Sequence, residues 1–132
     1  MTDTPKRACR EAESWLSSAK HSLEKAKEDE ACASVCCAEA IHAVIRANDA
    51  LALEFFGYKP TRHDDAAVVF AKLVQQGKLP DKTERFKDLV AKAMRDKSGA
   101  DYGKSSFSYE DAQEYVEQTD FFVKMVNGII IR

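Results

Sequence analysis

The sequence predicts an all-α protein, an up-and-down antiparallel helical bundle of about five helices. Two observations predict it: apolar residues recur every three or four positions along most of the chain, and glycine and proline fall between those segments. At 132 residues the chain is expected to form one domain spanning residues 1–132. A domain of that size buries roughly two thirds of the surface its unfolded chain exposes and needs no staple.

The first helix is predicted from Thr4 to about Glu28. Ala8, Ala12, Trp15, Leu16, Ala19, Leu23 and Ala26 form its apolar stripe, with Lys, Arg, Glu and Ser between them. Thr4 suits an N-cap, and Pro5 suits the first helical position, where its missing N–H costs nothing. The second, from about Glu30 to Phe56, is apolar on more than one side, which marks the central helix of the bundle. Gly57 is its expected C′ residue, and Gly57-Tyr58-Lys59-Pro60-Thr61 reads as a turn.

A shorter third helix runs from about Asp64 to Gln76 and stops at Gly77, before the Leu79-Pro80-Asp81 turn. The fourth spans about Lys82 to Lys97 on Phe86, Leu89, Val90, Ala93 and Met94, and Gly99, Gly103 and Ser105-Ser106 are expected to form a loop. The last opens at Ser108, whose hydroxyl can cap the amide of Glu110 or Asp111. Gly128 is expected to end or fray it before an exposed apolar tail, Ile129 to Ile131.

Twenty basic residues nearly balance 22 acidic ones, for a net charge of −2, so no global field draws the chain to nucleic acid or anionic membrane. The N-terminus has no apolar run of the signal-peptide kind and no membrane span is expected, so a cytoplasmic location is the default expectation. Cys32, Cys36 and Cys37 lie in one apolar helical segment and are read as reduced core residues. Cys32 and Cys36 share a helix face, but no second ligand pair stands at metal-site spacing, so neither a metal nor a cofactor is expected.

The candidate site residues are polar groups in apolar surroundings. His42, Arg46 and Asp49 are spaced four and three apart on the central helix and share a face. Unpaired burial of such groups costs several kcal/mol, so they must pair with one another, meet a partner, or face a cleft. The structural reading is a hydrogen-bonded polar seam, with Asn48 bridging to a neighbouring helix. His63, flanked by Arg62 and Asp64, stands where the third helix starts, and a cap or turn hydrogen bond is favoured there over general-base chemistry.

Resemblance adds to this at Arg95-Asp96-Lys97-Ser98-Gly99-Ala100-Asp101-Tyr102. The order of elements, the central AEAIHAVIRANDALALEFFG, the turn leading to His63 and this Arg-to-Tyr segment before the last helix together resemble HEPN domains, small helical bundles of bacteria and archaea. Many HEPN domains are RNases that carry Arg, a polar residue and then His, often followed by Tyr, with two such motifs facing across a homodimer. The resemblance implies that Arg95 would stabilise charge on a scissile phosphate. Asp96 and Tyr102 fall in register, but the His position, four beyond Asp96, holds Ala100.

A methyl group moves no proton, and losing a general acid or base forfeits about 10²–10⁴ in rate. The resemblance therefore implies a non-catalytic homodimeric module that binds a nucleotide, RNA or a separately encoded nucleotidyltransferase. The alternatives are a metal-independent, toxin-type RNase in which His63 or His42 replaces the missing His, and a structural helical interaction protein. Catalytic candidates are Arg95, Asp96, Tyr102 and His63. Ligand-binding candidates are His42, Arg46, Asp49, His63, Arg95 and Lys97, with any phosphate expected near Arg46, His63, Arg95 and Lys97. Homodimerisation is also expected from the tail Ile129 to Ile131 and from the apolar central helix.

Overall fold

The computed structural model describes residues 3–60, 63–80, 82–102 and 107–131, and for residues 63, 64 and 98–102 it describes the backbone alone. Its helices are α1 (Pro5–Ala26), α2 (Ala31–Phe56), α3 (His63–Gln75), α4 (Phe86–Tyr102) and α5 (Tyr109–Ile130), with a 3₁₀ turn, Thr83–Arg85, before α4. Among the described residues there is no strand.

Local chemistry sets the boundaries. The Thr4 hydroxyl accepts the Arg7 amide at 3.1 Å with Pro5 behind it, so α1 starts where the capping pattern indicates. Gly57 closes α2 at φ +79°, a left-handed conformation that side chains disfavour. Ser108 and Asp111 form a reciprocal capping box at α5: the Ser108 hydroxyl accepts the Asp111 amide at 3.1 Å, and Asp111 accepts the Ser108 amide at 2.9 Å.

Three boundaries differ from the sequence reading. Lys82 takes φ +70° and the Thr83 hydroxyl donates to the Pro80 carbonyl at 2.9 Å, so α4 begins at Phe86 rather than Lys82. Its end is later than expected, because the stretch assigned to a loop from Gly99 continues the helix to Tyr102. A helical glycine costs only about 1 kcal/mol against alanine, which packing one turn earlier at Asp96 can offset. Gly128 likewise fails to stop α5, because Ile129 and Ile130 reach the core, each only 9% exposed. The apolar tail is thus buried except for Ile131.

Paired contacts give the packing directions. Along α1 and α2, Ser22 meets Glu39, Trp15 stacks on His42 and Glu11 meets Arg46, so the two helices run antiparallel. Lys20 meets Asp120 at 2.9 Å and Glu13 meets Asn127 at 2.6 Å, which sets α5 antiparallel to α1 as well. α4 runs against α5, with Phe86 beside Phe122 at one level and Asp96 beside Tyr115 at another.

α2 lies at the centre, with Ala40, Ala43, Ala47, Ala50 and Ala52 buried on several faces. Small side chains all round let neighbouring helices approach its axis, and the apolar surface expected to seek a second subunit is covered within the chain. Cys36 and Cys37 are buried free thiols, as read from the sequence, whereas Cys32 is only half-buried; Cys9, which that reading left aside, is buried too. No group of metal-ligating side chains occurs among the described residues. No helix among the described residues is long and apolar enough to cross a membrane.

Candidate functional site

The structure resolves the candidate residues into two separate polar clusters. The first centres on Arg46, which is 15% exposed. Its Nε donates to Glu11 at 2.8 Å, Nη1 to Asp49 at 2.8 Å, and Nη2 to both oxygens of Asp3 at 3.0 and 3.2 Å. α1 and the residues before it thus supply two of the three carboxylates, and Lys59, after α2, approaches Asp3 at 3.5 Å.

This is the polar seam that the spacing of Arg46 and Asp49 anticipates. Burial raises the Asp49 carboxyl above its ordinary value, and the Arg46 hydrogen bond and charge offset this only in part. At Asp3 burial also acts upward, but the Arg46 hydrogen bond and the charges of Arg46 and Lys59 outweigh it and hold the carboxyl below its ordinary value. A guanidinium whose donors already face three carboxylates offers little to a phosphate.

His42 belongs to the same helix but a different environment. Its ring stacks on Trp15 of α1, with centroids 4.6 Å apart and planes 24° from parallel. Asn48 bridges as expected: its side-chain amide donates to the Ala66 carbonyl of α3 at 3.0 Å.

The second cluster lies between α4 and α5. The Tyr115 hydroxyl donates to Asp96, and Tyr115 is 2% exposed. Burial and the carboxylate of Asp96 both push the phenol upward, with Arg95 pulling weakly the other way, so Tyr115 stays protonated at any physiological pH. Lys92 lies over the Tyr115 ring, 4.4 Å from its centroid. One helical turn along α4, a groove of about 230 Å³ opens between Arg85, Leu89, Lys92, Glu114 and Gln118. Arg95 is exposed and Lys97 half-buried.

A family model for the HEPN domain matches residues 6–129. The chain belongs to the HEPN domain family. No curated protein matches the chain closely enough to add to this. Family membership makes it a nucleotide- or RNA-related module at the level of the family, whose members include dimers and partners of nucleotidyltransferases.

Against the HEPN RNase motif, Arg95 stands exposed on α4 while Asp96 turns inward to Tyr115. The side chains of Ala100, Tyr102 and His63 lie outside the described residues. His42, the other histidine considered for the missing role, lies against Trp15 of α1.

Sequence reasoning missed Glu11, Asp3, Lys92 and Tyr115 as members of these clusters. Tyr115 sits on the apolar stripe of α5, and nothing in its spacing marks a hydroxyl that finds a carboxylate on another helix. Glu11 and Asp3 are ordinary surface types near the N-terminus, joined to Arg46 only by folding.

Proposed function

We propose that the chain is a non-catalytic HEPN module that homodimerises and binds a nucleotide, RNA or a nucleotidyltransferase partner. One observation carries the reading: the polar residue of the RNase motif, Asp96, is held by a buried tyrosine, while the position that should supply the proton carrier is Ala100. The Arg46 seam serves as structure, since its guanidinium is occupied by carboxylates. Any phosphate contact then falls to Arg95, with Lys92 and Lys97 on the same helix, and leaves Arg46, His42 and Asp49 out.

The test is metal-free incubation with a labelled RNA of mixed sequence, alongside Arg95→Ala and His63→Ala. The expected result is no cleavage above the background of the variants, together with RNA or nucleotide binding that weakens in Arg95→Ala. Light scattering at micromolar concentration is expected to give a dimer. Cleavage that vanishes in Arg95→Ala or His63→Ala overturns the non-catalytic reading.

The second reading, an RNase with a displaced His, is favoured by the exposure of Arg95 on α4. It is opposed by Ala100 at the motif's His position and by the Trp15 stack of His42. A productive geometry needs a proton carrier within about 3 Å of the reacting oxygen, or one water away.

A further inference from the structure

α5 buries one face and leaves much of another open to solvent, with the Arg85 guanidinium 5.3 Å from the Phe121 ring centroid. Glu114, Phe121 and Gly128 stand seven residues apart on that face, two helical turns each, and all three are exposed. Phe121 is 45% exposed, among the larger apolar side chains open to solvent. Beside Gly128 lies a groove of about 520 Å³ whose walls include Leu79, Pro80 and Met125, with Lys78 and Lys124 at its rim. A Cβ built at Gly128 meets nothing within 4 Å, so no packing inside the chain requires a glycine in this helix.

The charges on this face are arranged for self-pairing. Glu114 and Glu117 precede Phe121, while Lys124, which pairs with Asp120 at 2.8 Å yet stays largely exposed, follows it and Lys78 stands beside Gly128. In an antiparallel pair about a two-fold axis level with Phe121, positions at similar distances before and after it come together: Glu114 and Gly128 stand seven residues either side, and Glu117 and Lys124 four before and three after, a mismatch of one residue, or about 1.5 Å, that a lysine side chain spans. Glu117 of one copy then meets Lys124 of the other, Glu114 meets the Gly128 level where Lys78 lies, and each contact occurs twice. Glu117 and Lys124 flank the stripe on the same side of α5, as an isologous interface needs.

We propose that this face of α5 is the contact between two copies of the chain, with Phe121 at the two-fold axis, Gly128 admitting the partner helix and Glu117 paired with Lys124 across the interface. This inference rests on the homodimer reading above and specifies its surface. The occupant is a second copy rather than an unrelated helix because the charge order complements itself under that symmetry.

The test measures association of the full chain by sedimentation velocity, with circular dichroism to show that each variant folds. Phe121→Glu is expected to weaken the dimer by at least about tenfold. Glu117→Lys and Lys124→Glu should each weaken self-association, and mixing the two variants should restore it, because all cross-pairs in the mixed dimer are then opposite in sign. A wild-type monomer overturns both this inference and the homodimer reading. A wild-type dimer that Phe121→Glu leaves intact, or a mixture no tighter than its components, overturns this interface alone.

Discussion

The Tyr115 hydroxyl of α5 donates to the Asp96 carboxylate of α4, directly beside the exposed Arg95. Two neighbours on one helix thus have opposite roles: Asp96 fastens α4 to α5, while Arg95 remains available to a ligand. Lys92 of α4 also lies over the Tyr115 ring, so the two helices meet at this level through Tyr115, while α4 is packed on α2 and α3 as well.

Tyr115→Phe removes that donor and leaves a half-buried carboxylate short of a partner. We expect a loss of about 1–3 kcal/mol in urea unfolding, with faster amide exchange over the last turns of α4. Unchanged stability and exchange would show that the bond is replaced by water.

Arg46→Met strands three carboxylates around an apolar side chain, and a loss of about 3–5 kcal/mol is expected, as for breaking one partner out of a buried pair. Glu11→Gln removes a partner that is 41% exposed and should cost at most about 1 kcal/mol. Chemical denaturation of the two variants side by side checks the ranking, and equal losses would contradict a seam centred on Arg46.

Acid should loosen the α1–α5 contact. Burial acts to raise the Asp120 carboxyl, but the hydrogen bonds and charges of Lys124 at 2.8 Å and Lys20 at 2.9 Å prevail and hold it below the ordinary 3.8. A depressed folded pKa means the stabilisation is fully present above the unfolded value and is lost as pH falls through the folded one. Asp3 behaves in the same direction. Thermal melts between neutral pH and pH 3 should therefore fall less steeply for Asp120→Asn than for the wild type.

Gly128→Ala should stabilise the fold by roughly 0.5–1 kcal/mol, because the residue is helical and an added methyl meets nothing inside the chain. The same methyl lies in the proposed contact between copies. A dilute sample in which monomer dominates should show the gain in melting temperature, while the dimer weakens.

Much of the fold was legible because it depends on local chemistry. Thr4-Pro5 and the Ser108–Asp111 box are capping patterns that work at short range, and Gly57 takes at little cost the left-handed conformation that ends α2. The same local rules erred at Gly99 and Gly128, where glycine's weak helix propensity was overridden by Asp96 reaching Tyr115 and by Ile129 and Ile130 reaching the core. The expectation of an exposed apolar tail failed for the same reason.

By itself the sequence determined five helices, their antiparallel order, the burial of Cys36 and Cys37, the helix face that Arg46 shares with Asp49, and Ala100 where the HEPN RNase motif needs a proton carrier. Only the tertiary structure decided that Arg46 is occupied by Asp3 and Glu11, that His42 lies against Trp15, and that Asp96 is fastened to Tyr115. Spacing along a helix fixes which residues share a face, but the groups that meet that face come from distant parts of the chain. Burial and competing hydrogen bonds then decide which polar side chains remain for a ligand.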